Sequence, residues 1–327
     1  MAEPPRVAVA ASGGRDSTAL LHCTLSASRL LGVQVFALHV HHGLLPQADD
    51  WLAHVRSQAR RWGAGFDSRR LAGRPAKGES VEAWARRGRY AALADMAVAA
   101  GCTLVLLAHH RRDQAETVLL QALRGAGAAG LAAMPRSARR DGLTWARPWL
   151  EQPREAVEAY VRRHRLRYVD DPGNDGTDYT RSRLRAQVWP VLAAAFPAAE
   201  TGLRHTAERA ADERALLDEV AVADLAAARE GPALRRDALC ALSPARRRNL
   251  LRHWLRTTLP LPAPETLVRR LADELPATLH ARWPAPAGEL ALRRGRLVWH
   301  AGPPPAGAGS AQHAGAAAAP GPRQPAA

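Results

Sequence analysis

The chain has 327 residues, 47% hydrophobic and 24% charged, with a formal net charge of +15, so it is long enough for a full α/β domain and at least one smaller unit. No uninterrupted apolar run reaches the roughly 18 residues of a membrane-spanning helix, the N-terminus lacks the pattern of a secretory signal, and Cys23, Cys102 and Cys240 stand too far apart for a disulfide framework, a zinc ribbon or an iron–sulfur site. A cytoplasmic protein with no membrane partner is expected, and the excess of cations favours a polyanion such as nucleic acid, although Lys77 is the only lysine and GC-rich coding accounts as well for the choice of arginine.

From residue 6 to about 150, short apolar runs alternate with helical stretches, the pattern of β-α-β units in a doubly wound, mostly parallel sheet. Strands are predicted over 7–11, 33–40 and 103–108. Helices are predicted over 16–30, 48–62 and 79–100, with Gly32, Gly63 and Gly101 just beyond them as stop signals. Two more are predicted over 113–123 and 153–164, the second with Pro153 in its first turn. Past residue 196 the strand signal fades: 201–228, 235–256 and 264–275 read as helices, followed by a small β-like ending over 289–299. The expected organisation is an α/β domain over 1–195, a smaller, mainly helical domain over 196–300, and a tail over 301–327 whose Pro, Ala and Gly cannot bury a core and should be disordered.

Between the first strand and the first helix lies Ser12-Gly13-Gly14-Arg15-Asp16-Ser17. Adjacent glycines let the backbone turn so that its N–H groups converge, and the helix adds the positive end of its dipole, which suits phosphate oxygens. Ser12 and Ser17 can add hydroxyl donors. The loop has neither the spacing nor the lysine of a Walker A motif, and G-x-G-x-x-G is absent. A plain turn capped by Asp16 or Ser17 is the alternative. His109 and His110 end the strand over 103–108, on the rim where α/β sheets bind ligands. Asp113 and Glu116, three apart on one helix face, either hold Mg²⁺ beside phosphates or engage a cationic amine; otherwise Asp113 caps the helix and Glu116 lies in solvent. His39, His41 and His42 divide between ligand contact and packed or hydrogen-bonded roles, with no partner set at zinc spacing. Over 235–256 seven arginines face one acid. Arg248, Arg252 and Arg256 are the candidate contacts to an RNA backbone, the alternative being a solvated helix face.

The hexapeptide S-G-G-x-D-S is similar to the PP-loop signature of enzymes that split ATP into AMP and pyrophosphate. Further blocks follow in order: His39-Val40-His41-His42-Gly43-Leu44, Glu82-Ala83-Trp84-Ala85-Arg86-Arg87-Gly88-Arg89-Tyr90, Ala108-His109-His110-Arg111-Arg112-Asp113-Gln114-Ala115-Glu116-Thr117, and Arg124-Gly125-Ala126-Gly127-Ala128-Ala129-Gly130-Leu131. Arg147-Pro148-Trp149-Leu150, Asp170-Asp171-Pro172-Gly173-Asn174 and Arg181-Ser182-Arg183-Leu184-Arg185 complete the series. Together, over about residues 6–300, they resemble the tRNA(Ile)-lysidine synthase family. Arg112 stands where that family usually has the first aspartate of an acidic pair, Ser182 replaces an asparagine, and longer members carry a further C-terminal domain.

The resemblance implies an ATP-dependent ligase that adenylates the wobble cytidine of the isoleucine tRNA with a CAU anticodon and couples free L-lysine to C2, releasing AMP and pyrophosphate. ATP and Mg²⁺ are the implied cofactors, without zinc or an iron–sulfur cluster, and a homodimer is compatible with it. Asp16, Asp113 and Glu116 would be catalytic, with Asp113 also on the metal. Ser12, Gly13, Gly14, Arg15, Asp16, Ser17 and His39 would bind the nucleotide, and His109, His110, Arg124, Gly125, Arg181 and Arg185 the substrates. Three rivals remain: a PP-loop tRNA thiolase, which the lack of cysteine pairs disfavours; a small-molecule PP-loop ligase, which the basic C-terminal half disfavours; and a degenerate RNA-binding relative, against which the intact loop argues.

Overall fold

The computed structural model describes residues 4–43, 46–76, 80–170 and 180–302. The stretch from 303 onward, expected to be a disordered tail, and Asp171 to Asn174 lie outside the described residues. The chain divides into two compact units, Met1–Arg214 and a second beginning at Ala215. The division falls inside a helix.

The first unit runs β1 (Arg6–Ala10), α1 (Arg15–Leu31), β2 (Gln34–His41), α2 (Ala48–Trp62), β3 (Gly65–Arg70), α3 (Val81–Ala99), β4 (Leu104–Leu106) and α4 (Arg111–Leu123). It continues through α5 (Ala128–Leu131), β5 (Ser137–Arg140), β6 (Leu143–Ala146), α6 (Arg154–Arg163), α7 (Thr180–Arg183), a π-helical turn over Leu184–Val188, α8 (Trp189–Ala195) and the start of α9 (Ala199–Ala228). The six strands lie in the order β3-β2-β1-β4-β6-β5, all parallel except β5 against β6. Gly32 and Gly63 end α1 and α2 in the left-handed conformation, as the stop signals predict. Strand alternation feeds two cores: Ala8, Leu38 and Val105 pack with Leu93 and Met96 of α3, while Val9, Val35 and Ala37 pack with Leu20 and Leu21 of α1 and Val55 of α2. Each such large aliphatic side chain contributes about 1.5–3 kcal/mol on burial. The strand order reverses between β1 and β4, and a doubly wound sheet opens its ligand crevice at the carboxyl ends of the strands flanking such a reversal.

The second unit holds the rest of α9, then β7 (Arg229–Glu230), β8 (Ala233–Arg235), α10 (Arg236–Ala241), α11 (Pro244–Thr258), α12 (Glu265–Glu274), β9 (Ala281–Ala285), β10 (Gly288–Arg293) and β11 (Arg296–Ala301). Its sheet is antiparallel, in the order β7-β8-β11-β10-β9. Leu250, Trp254, Leu271, Trp283, Leu290 and Leu297 form its core. The helix predicted over 235–256 is broken in two, because Ser243 caps a new start with Pro244 behind it. Arg247 is buried there and donates to the carbonyls of Leu239, Leu242 and Ala272 at 2.9–3.1 Å. It is a structural staple between α10 and α12.

Candidate active site

The phosphate-loop sequence folds as its glycines dictate. Gly13 sits at φ +93°, outside the range of L side chains, and a Cβ there would meet Val55 Cγ2 at 3.1 Å. Gly14 is the N-cap of α1, and no side chain caps the helix, so the capped turn weighed as the alternative is not what forms. The uncapped first-turn N–H groups and the helix dipole make an anion cradle. Around it, the Ser17 hydroxyl donates to Gly14 O at 3.0 Å and lies 3.0 Å from Ser12 Oγ, Thr18 Oγ1 donates to Gly13 O at 3.2 Å, and the Val169 N–H donates to Gly13 O at 2.9 Å. Arg15 sits beside the cradle, its guanidinium meeting Asp16 at 2.9 Å and Glu158 of α6 at 2.7 Å, and lines the cavity that opens from the loop.

A cavity of about 670 Å³ opens from this loop, and Leu38, Val40, His42, Arg86, Arg89, Tyr90, His109, His110, Asp113, Glu116 and Arg185 share its lining. His39 does not. Successive β2 side chains face opposite ways, so Leu38, Val40 and His42 reach the cavity while His39 points to the α1 and α2 side. The buried His39 ring donates from Nδ1 to Ala11 O at 2.8 Å, holding the backbone that enters the loop. His39 thus stands outside the cavity lining, behind the loop, and His42 is the histidine of that block on the cavity wall. Arg86, Arg89 and Tyr90, at helical spacing on α3, were not expected in the cavity. That spacing was the signal that could have found them.

His109 and His110 lead into α4, whose first turns carry Asp113 and Glu116. Asp113 Oδ2 accepts the His110 N–H at 3.0 Å, so it does cap the helix, but it does more. Its Oδ1 accepts from Arg185 at 2.7 Å and from Arg181 at 3.2 Å. Glu116 is far from solvent, at 1% exposure, and accepts from Arg185 Nε at 2.8 and 2.9 Å and from Arg181 Nε at 2.9 Å. Two carboxylates three apart on α4 thus meet two arginines four apart across α7 and the π turn. Burial alone would raise the Asp113 carboxyl, but His110, Arg181, His109 and Arg185 hold it below the usual carboxylate range. Asp16, also raised by burial alone, is held at about 2 by the His110 ring, 3.6 Å away, and by Arg15.

Asp113 stands in this arrangement as a partner of cationic and N–H donors. Both of its oxygens already accept from cationic or N–H donors, and among the described residues no group of three or more His, Cys, Asp or Glu side chains could hold a metal ion. Asp113 thus anchors Arg181 and Arg185, while Mg²⁺, commonly held by one or two carboxylates together with substrate phosphates, needs no larger cluster. Arg124 and Gly125 lie outside the cavity lining, both exposed at the far end of α4, roughly 20 Å of helix from His110. Arg112, the departure from the family pattern, pairs with Glu200 at 2.9 Å and Glu155 at 3.5 Å and stacks 4.8 Å from the Trp189 ring centre.

Burial pushes His109 down to about 3 and, with Arg89 beside it, His42 down to about 4. Both rings are neutral at pH 7. A histidine depressed in the fold takes up its proton more readily when unfolded, so the stability it contributes is complete above pH about 6.5 and lost as pH falls toward the folded value. We expect stability to drop between pH 6.5 and 4 by at most about 1.4 kcal/mol per pH unit per ring, and denaturant titrations of His109→Gln to show a flatter decline than the parent. Parallel curves would refute this.

In the second unit the arginine excess over 235–256 is compensated by acids distant in sequence. Arg252 pairs with Glu265 at 2.7 Å, Arg256 with Asp218 at 2.8 Å and Arg246 with Asp224, while Arg247 is buried. Of the candidate RNA contacts only Arg248 lacks such a pair among the described residues.

The PP-loop domain family matches residues 2–192 and the TilS substrate binding domain family residues 234–298. The chain is 44% identical over 313 residues to the tRNA(Ile)-lysidine synthase of Burkholderia pseudomallei (strain K96243), covering 90% of this chain and 62% of the relative. Against that of Ralstonia nicotianae (strain ATCC BAA-1114 / GMI1000) it is 47% identical over 256 residues, 77% of this chain and 54% of the relative. Against that of Bordetella pertussis (strain Tohama I / ATCC BAA-589 / NCTC 13251) it is 39% identical over 309 residues, 90% of this chain and 96% of the relative. The chain thus spans less than two thirds of the first two and nearly all of the third. In fold it is similar to the U34-tRNA thiolase NcsA from Methanococcus maripaludis, with a TM-score of 0.55 over 64% of this chain and 73% of that one at 16% identity. Identity sustained through both matched domains, and along almost the whole of one relative, means that the chain belongs to the tRNA(Ile)-lysidine synthase family.

Proposed function

We propose that the protein modifies the wobble cytidine of the CAU-anticodon isoleucine tRNA in two steps, using ATP and free lysine. The observation that carries this is one cavity shared by an uncapped phosphate loop and a buried, arginine-bound carboxylate pair. In the first step the cytidine O2 attacks the α-phosphorus of ATP and pyrophosphate leaves, its oxygens held by the loop N–H groups and the Ser12 and Ser17 hydroxyls. In the second the lysine amine attacks C2, the C2–O bond breaks and AMP leaves. The charge on Asp113 and Glu116 suits an amine cation, and Arg185, which lines the cavity, suits a phosphate or carboxylate. Mg²⁺ enters as the MgATP substrate and has no step assigned on the protein. No described helix is long and apolar enough to cross a membrane, and a cytoplasmic site of action belongs to the same proposal.

Incubation with MgATP, labelled lysine and total tRNA tests it: label should appear in the isoleucine tRNA with the CAU anticodon, with one pyrophosphate released per lysine incorporated. Pyrophosphate release that ignores RNA would point to a small-molecule ligase instead, and RNA-dependent release without lysine incorporation to another PP-loop modification.

A further inference from the structure

On α11, Arg246, Arg252 and Arg256 are tied to acids and Arg247 to backbone carbonyls, whereas Arg248 has no such tie among the described residues; further cations stand in the sheet of the second unit. They gather at one end of its sheet. Strand register places Arg293 of β10 directly opposite Arg296 of β11, and Arg296 directly opposite Arg235 of β8. Residues directly opposite in an antiparallel pair share a face with Cβ atoms about 5 Å apart, where like charges repel. Three arginines in one cross-strand row are therefore unfavourable for folding alone. Glu230 relieves Arg296 at 2.6 Å and Asp237 lies 3.6 Å from Arg235, whereas Arg293 and Arg294 make no hydrogen bond or ion pair with the described residues.

The turn adds a second misfit. Arg294 and Gly295 connect β10 to β11 with φ +48° and +72°, both in the left-handed region. Glycine or asparagine suits such a hairpin, while a long side chain at the first of the two positions is strained. Beside the tip lies a shallow depression of about 680 Å³ lined by His280, Arg282, Leu292, Arg293 and Arg294. Arg282 pairs with Glu289 at 2.9 Å. Local choices that oppose the fold's own electrostatics and backbone preference gather where a ligand compensates them.

We propose that the hairpin tip Arg293–Arg294, continuing into the Arg296–Arg235 row, is the surface by which the second unit grips an RNA phosphate backbone. The row lies across the strands, which sit about 4.8 Å apart, so its charges present a line and not a point. Guanidinium forks match phosphate oxygens, and such contacts position the RNA without reading its sequence. The proposal rests on RNA being the substrate and assigns to this tip the role that the α11 stripe was expected to play.

The test uses the full chain and total tRNA, with binding followed by anisotropy from low to moderate salt. Arg293→Ala/Arg294→Gly should weaken binding on the order of tenfold and reduce the salt slope by roughly 1.5, somewhat less than one unit per lost phosphate contact. Its melting temperature should hold or rise, since glycine relieves the turn. Arg252→Ala/Arg256→Ala should stay within about twofold of the parent. If the glycine variant unfolds, Arg293→Gln/Arg294→Asn replaces it, because asparagine tolerates the left-handed region. Parent-like affinity and slope in a folded tip variant would overturn the proposal, as would binding that depends on the tip for phosphatidylserine vesicles but not for tRNA. A parent that binds no tRNA would sink this grip and the proposed substrate together. Tip-dependent tRNA binding by a protein that incorporates no lysine would leave the grip standing and remove only the proposed reaction.

Discussion

Glu116→Gln is expected to destabilise the first unit by about 3 kcal/mol and to reduce RNA-dependent pyrophosphate release at least about a hundredfold. Glu116 is 1% exposed and accepts from both Arg181 and Arg185, and removing one partner of a buried ion pair leaves the others uncompensated, which costs about 3–5 kcal/mol. The arginine side chains are 25% and 36% exposed, so water recovers part of that loss and the lower figure applies. Stability and chemistry can be separated. In Glu116→Gln/Arg185→Met much of the stability should return, because fewer charges are left unpaired, while activity should not, because the cavity has lost the groups that would face amine and phosphate. Arg112→Ala offers the contrast: it loses the Glu200 pair and the Trp189 stack, about 1–2 kcal/mol together, and should turn over near the parent rate at saturating ATP. Denaturant unfolding and initial rates of pyrophosphate release give both readouts. If Arg112→Ala is more damaging to turnover than Asp113→Asn or Glu116→Gln, the arginine acts on the substrates and the assignment of essential charge to the carboxylates fails.

What could be read from the sequence was whatever is local. The first strand, the loop and α1 are coded within about 25 residues by apolar alternation, a glycine pair and a closing Gly32, and they fold as read. β3 escaped because Gly65–Arg70 is an edge strand with little apolar content. The hairpin of β5 and β6 escaped although Asp141-Gly142, both at positive φ, is a strong turn signal between them. Strand parity alone would have separated His39 from His42. The pairing of Arg181 and Arg185 with Asp113 and Glu116 joins residues about 65–72 apart in the chain, which no window along α4 contains; only the family resemblance pointed to those arginines. The same non-locality hides the acid partners of α11, since the imbalance over 235–256 leaves out Asp218, Asp224 and Glu265.

The loop itself supplies the sharpest test, because its two glycines differ. Gly13→Ala forces a Cβ into φ +93° and to within 3.1 Å of Val55 Cγ2, so the turn must move, at a cost of about 1–3 kcal/mol in backbone strain. Gly14 has φ −69° and ψ 166°, an ordinary extended conformation, and a Cβ there would sit 3.5 Å from Ser12 Oγ in normal contact. Gly14→Ala should therefore fold like the parent. If the loop N–H groups cradle phosphates, moving the turn misaligns several donors at once, and loss of even one such donor lowers rates about 10²–10³-fold in comparable sites. Gly13→Ala should thus lose calorimetrically detectable MgATP binding and all pyrophosphate release, with its helical circular dichroism retained. Asp16→Asn should impair turnover for a different reason, and pH distinguishes it: with its folded value held at about 2, Asp16 contributes stability that is complete above its unfolded value and declines as pH falls toward 2. The asparagine variant should lack that part of the acid-induced loss. MgATP affinity within about twofold of the parent in folded Gly13→Ala would show that the phosphates lie elsewhere, and the cationic wall of Arg86 and Arg89 across the cavity would then be the place to look.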